Sequence, residues 1–246
     1  MDPSDDAANS GGSEFLSTSW TLVLAAGSTS VDGQTALDAL CRRYWFPLYS
    51  FLRRRGQPHH EAEDLTQSFF TELLRRRDIS QAQRERGRFR SFLLTALKNH
   101  VSDEKSRDRA LKRGGGRKIL PLDIQSAEAR YSLEPAHDLT PERLFDRHWA
   151  RTLIDQALVD LRLHYAGTGQ ENLFDALKPC LIDQENRIPI AQIAATLNMT
   201  EAAIKVASHR MRKRFGKILR NGVAATVANP DDVEDELHSL LASLRS

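Results

Sequence analysis

R-I-P-I-A-Q-I-A-A-T-L-N-M-T-E-A-A-I-K-V-A-S-H-R-M-R-K-R-F-G-K-I-L-R, residues 187–220, is the stretch around which the rest of the chain is organised. Ile190, Ile193, Ala194 and Leu197 recur at helical spacing behind Pro189, a residue tolerated in a first helical turn. Asn198 stops this short helix. Thr200 is a good N-cap for a second, on which Ala203, Ile204, Ala207 and Met211 form an apolar stripe against the first. Two helices joined by about three residues have helix-turn-helix geometry. The remaining face carries Lys205, Ser208, His209, Arg212, Lys213 and Lys217, donors suited to phosphates and base edges. Between Thr200 and Arg220 seven Lys or Arg stand against the single Glu201, more positive charge than an ordinary solvated helix face carries.

The chain has 246 residues, enough for two modest domains or one large one, and its formal net charge is only +2. Divided by segment the charge is far from neutral. Arg42 to Lys118 carries 20 basic and 9 acidic residues, and Ile119 to Met199 carries 7 and 12. Both tails are acidic. Two basic blocks separated and flanked by acidic ones indicate two polyanion-binding surfaces. Cys41 and Cys180 form neither a metal-ligand spacing nor a disulfide framework, so a reducing cytoplasm is the expected location. No apolar run is long enough for a membrane span, and the short one at Thr21 to Gly27 follows acidic residues, the wrong flank for a signal peptide.

Taken in order, residues 1–34 read as an N-terminal extension, polar and partly disordered at first and then apolar around Phe15 to Leu24. Helical spacing of apolar residues predicts a long helix from Thr35 to Arg55, with Pro47 a local irregularity and its aromatics mostly core. A second helix is expected over His59 to Arg76, with Ala62, Leu65, Phe69 and Leu73 inward. His59 and His60 point about 100° apart on a helix, and with no third ligand evident a metal site is not expected. Asp78 to Arg86 is a polar connection. The third helix follows, with Phe89, Phe92, Leu93, Ala96, Leu97, His100 and Val101 buried and Arg88, Arg90, Lys98, Asn99, Lys105, Arg107 and Arg109 mostly off that stripe. Basic residues with an aromatic among them suit single-stranded or opened nucleic acid. Gly114 to Gly116 lacks the ending of a phosphate-binding loop. Residues 119–140 have no sustained period and read as a flexible linker; helices are then expected from Pro141, over Leu173 to Ile182, and in the acidic, amphipathic Asp231 to Leu244.

In this order the parts resemble the extracytoplasmic-function group of bacterial RNA polymerase sigma factors, within the sigma-70 family. Ala62 to Leu74 (A-E-D-L-T-Q-S-F-F-T-E-L-L), Phe89 to Arg107 and the terminal helix-turn-helix carry the likeness. It implies an all-α chain of two small helical domains: sigma domain 2 at 35–118, the linker at 119–140, sigma domain 4 at 141–221 and an acidic C-terminal extension at 222–246. Core RNA polymerase and promoter DNA are the implied partners, with an anti-sigma factor or other regulator as a further one. The resemblance assigns polymerase docking to Asp64, Gln67 and Phe70. It assigns the minus 10 element to Arg88, Arg90, Phe92, Lys98, Asn99 and Arg107. The minus 35 element falls to Lys205, Ser208, His209, Arg212 and Lys213. Phe92 stands where the family often has Trp, and Asn198 where it usually has Gly, which Asn can replace in left-handed backbone. No cofactor and no catalytic residue is expected. The rival readings are a stand-alone helix-turn-helix regulator, which leaves the Ala62 to Leu74 helix unexplained, and a nuclease holding magnesium at Glu61, Glu63 and Asp64.

Overall fold

The structure is a computed structural model; it describes residues 31–75, 87–110, 124–133, 139–182 and 188–245. The expectations for Phe15 to Leu24, Asp78 to Arg86 and Gly114 to Gly116 lie outside those residues. Every described element is a helix, so the all-α expectation holds. The helices are α1 (Val31–Arg54), α2 (His59–Arg75), α3 (Phe89–Ala110), α4 (Ile124–Ser132), α5 (Pro141–Gly167), α6 (Glu171–Leu177), α7 (Pro179–Ile182), α8 (Ile190–Leu197), α9 (Glu201–Ala224) and α10 (Val233–Ser243). None is long and apolar enough to cross a membrane. By contacts the chain divides into two compact units, Met1–Thr152 with Val223–Ser246, and Leu153–Gly222.

The first unit is built on aromatic side chains from four helices, α1, α2, α3 and α5. Tyr44 of α1 stacks on Trp149 of α5 with centroids 4.3 Å apart, and Phe89 of α3 meets Tyr44 edge-on at 5.5 Å. Phe145 lies 5.7 Å from Trp149, and Phe70 of α2 stacks on Trp45 at 6.2 Å. Tyr44, Tyr49, Phe51, Phe70, Phe89, Phe145 and Trp149 are fully buried. Offset and edge-on pairs of this kind add about 0.5–1.5 kcal/mol each beyond the area they bury. The α2 stripe of Ala62, Leu65, Phe69 and Leu73 is buried as its period predicts. Pro47 lies inside α1 without ending it; Gly56, at φ +85°, closes the helix in left-handed backbone that favours glycine.

The sequence gives no period for residues 119–140, yet α4 forms in their middle. Its stability comes from side chains that meet α1. Arg53 donates to both oxygens of Glu128 (Nη2–Oε1 2.8 Å, Nε–Oε2 3.1 Å), Tyr49 donates to the same carboxylate, and the Arg130 guanidinium lies 4.0 Å over the Phe46 ring. A nine-residue helix has too little length to hold itself.

The second unit closes around Leu161, Tyr165, Phe174, Leu177, Ile193, Ala194, Ile204 and Met211. α8 starts at Pro189 as its N-cap and ends at Asn198, whose φ of 51° and ψ of 45° put it in the left-handed region. Thr200 Oγ1 then accepts from the Ala203 amide at 3.2 Å, satisfying one orphan donor at the start of α9. Ile193 and Ala194 of α8 and Ile204 and Met211 of α9 are buried in this cluster, whereas Ile190, expected on that stripe, is 36% exposed because it stands in the first residue of α8.

Candidate nucleic-acid interface

The candidate residues fall in three groups. On α2, Asp64 is exposed, and Gln67 and Phe70 are buried. Asp64 sits off the stripe of Ala62, Leu65, Phe69 and Leu73, so its carboxylate reaches solvent. Phe70 points inward between Trp45 and Phe69.

The second group starts before α3 and follows it. Asn99 is exposed, while Phe92 and Lys98 are half-buried, with the Phe92 ring 6.1 Å from Phe89. The Arg107 side chain lies outside the described residues. Lys98 Nζ is 2.9 Å from Glu142 Oε1 and 5.5 Å from the Phe51 ring centroid. The hydrogen bond from Lys98 holds the Glu142 carboxyl below its ordinary value, with burial opposing it.

Arg90 departs from the helical period. That period puts it off the apolar stripe, yet it is 8% exposed. The cover comes from the far end of the chain. Arg90 donates through Nε and Nη2 to the two oxygens of Glu236 on α10 (2.5 and 3.0 Å), through Nη2 to Ser239 Oγ (3.2 Å), and through Nη1 to Asp146 on α5. Arg88 Nε adds a bond to Glu236 Oε2 at 3.0 Å. Glu236 itself is fully buried. For Arg90, burial is the largest influence and pulls its pKa down, but the Glu236 and Asp146 carboxylates outweigh it and raise the value. For Asp146 burial is again the largest influence but acts in the opposite direction and raises the carboxyl, with Arg90 opposing. No sequence period links positions 146 residues apart, so this pairing had no local signal.

The third group lies on α9. Lys205, His209, Arg212 and Lys213 are exposed and Ser208 is half-buried. The same helix also exposes Val206 (50%), Arg210 and Arg214, which the sequence reading did not single out. Their signal was present: Val206, Arg210 and Arg214 recur every four residues and therefore share a face. Val206 offers an apolar surface of the kind that meets a thymine methyl group. Arg214 Nη1 is 3.5 Å from His164 Nδ1, and burial followed by this cation lowers the His164 pKa.

A separate cluster stands where α2 begins. His59, His60 and Glu63 bring one ligand atom each to within 4.8 Å of one another, so Glu63 is the third group that the sequence did not make evident beside the two histidines. The Tyr49 proton goes to Glu128, which leaves His59 Nδ1 as the donor to Tyr49 Oη at 2.8 Å. That bond occupies one side of the His59 ring. Burial and the Glu128 carboxylate raise the Tyr49 hydroxyl well above its ordinary range.

Residues 40–110, from α1 to the end of α3, match the family model of sigma-70 region 2. The match makes this part similar to the segment of sigma factors that serves transcription initiation and DNA binding. No curated protein and no solved structure matches the chain.

Proposed function

We propose that the chain is a promoter-specificity subunit of bacterial RNA polymerase, a sigma factor of the extracytoplasmic-function kind, acting in the cytoplasm by binding and without catalysis of its own. The observation that carries this reading is the sigma-70 region 2 match over α1–α3, which includes the polymerase-docking and minus 10 candidates. In this reading Asp64 presents its carboxylate to core polymerase, and Gln67 and Phe70 shape the docking surface from beneath. Arg88, Arg90, Phe92, Lys98, Asn99 and Arg107 serve the opened minus 10 element; cationic and aromatic groups offset the cost of unstacking a base.

The second unit reads the minus 35 element through its helix-turn-helix. Lys205, His209, Arg212 and Lys213 project from α9 without needing to leave a core, and Ser208 lies beside them at the helix edge. An anti-sigma factor or another regulator remains a further partner in this reading. The test is reconstitution: purified chain with core bacterial RNA polymerase yields run-off transcripts from promoter fragments that core alone does not start. A chain that binds such DNA but never associates with core polymerase is instead a stand-alone helix-turn-helix regulator.

A further inference from the structure

Glu236 stands where packing calls for an apolar side chain. On α10 it shares a stripe with Val233, Leu237, Leu240 and Leu244, yet it is a carboxylate with no exposure. A buried ion pair is rarely more stabilising than a well-packed apolar residue of the same volume, so its presence is better explained by exchange of partners than by stability. What it pairs with is the basic entrance to α3: Arg90 in a two-pronged grip and Arg88 on one of the same oxygens. The grip is two-pronged on one carboxylate, the geometry with which guanidinium also takes a phosphate.

The approach to α10 is secured at the same place. The Phe89 amide, an orphan donor at the start of α3, donates to Thr226 O at 2.8 Å. Asn229 accepts from the Asp231 amide at 3.2 Å and opens the turn that leads into α10. Asp231, Asp232, Glu234, Asp235 and Glu236 put five acids in six residues, a charge density along the helix close to that of a nucleic-acid duplex.

We propose that α10 is an internal competitor for single-stranded DNA. Its Glu236 occupies the Arg88 and Arg90 guanidiniums in the free protein, and phosphates of a melted strand and α10 hold that site in turn. The proposal deepens the sigma-factor reading and rests on it for the assignment of the α3 entrance to opened promoter DNA.

Binding of a fluorescein-labelled, mixed-sequence single-stranded oligonucleotide to the full chain tests it. Glu236→Gln should bind about tenfold more tightly at low salt, and two freed arginines on phosphates should steepen the log–log salt slope by about 1.4. Adding R88A and R90A to that variant should return affinity to the wild-type level. Binding of E236Q no tighter than wild type overturns the proposal. Should E236Q not fold, hydrogen exchange on the wild-type chain decides. The oligonucleotide should speed amide exchange across residues 233–243, and unchanged or slowed exchange there overturns the proposal. Core-polymerase binding is measured on the same preparations; its failure removes the sigma-factor reading, whereas the competition stands or falls on the DNA data alone.

Discussion

Arg90→Ala is the substitution whose consequence the structure specifies most fully. Arg90 is 8% exposed and Glu236 not at all, so the change removes a bidentate partner from a carboxylate that water does not reach. Breaking a buried pair from one side costs about 3–5 kcal/mol, because the remaining charge is left uncompensated. Arg88, more exposed and 3.0 Å from Glu236, keeps part of the compensation, which puts the expected loss near the lower end, about 3 kcal/mol. Against a total of about 5–15 kcal/mol for a typical domain, the variant stays folded but is plainly weakened. Trp45 and Trp149 both belong to the first unit and are buried there, so urea unfolding followed by tryptophan fluorescence reports that unit. The double variant Arg90→Met, Glu236→Leu should recover most of the loss, since an apolar pair of similar volume removes both charges together. A loss of less than about 0.5 kcal/mol for Arg90→Ala, the range of ordinary surface substitutions, would refute the reasoning, because it would mean that the buried pairing is not formed in solution.

Thr200→Ala removes the hydroxyl that caps α9 and should cost the second unit about 1 kcal/mol, read as faster amide exchange through α9. Burial is the largest influence on Glu128 and raises its pKa, but hydrogen bonds from Tyr49 and Arg53 outweigh it and hold the carboxyl below its ordinary 4.5. Its stabilising contribution is therefore fully present above the unfolded-state value and is lost as pH falls through the lower folded-state value. E128Q should lose that acid-side slope in urea midpoints measured from about pH 6 downward, whereas an identical slope in wild type and variant would exclude Glu128 as its source. Arg212→Ala should relax discrimination at the upstream promoter element by about 1–3 kcal/mol; an equal loss on all sequences with a flatter salt slope would make it a phosphate contact.

The elements that proved legible are those whose instructions are local. The three-and-four spacing of Tyr44, Leu48, Phe51 and Leu52, and of Ala62, Leu65, Phe69 and Leu73, is enough to predict α1 and α2 and their inward faces. Asn198 and Thr200 mark the end of α8 and the start of α9 by backbone conformation and capping alone. What escaped depends on distant partners. The helix at Ile124–Ser132 is short, and a contact between Glu128 and Arg53 across 75 positions leaves no period. Arg90 lies on the polar side of its own helix and is buried where α10 supplies Glu236 and Ser239 and α5 supplies Asp146. Exposure on α9 was legible as a basic face, but Val206 was passed over because an apolar residue among cations does not register in a count of charge.

The central claim, that this is a polymerase specificity subunit, meets its most direct test in equilibrium binding of the full chain and its Asp64→Ala variant to core bacterial RNA polymerase. The account predicts tight association of the wild-type chain and weakened association of the variant, with binding of both to isolated promoter DNA unchanged. Failure of the wild-type chain to bind core polymerase, with DNA binding intact, would contradict it.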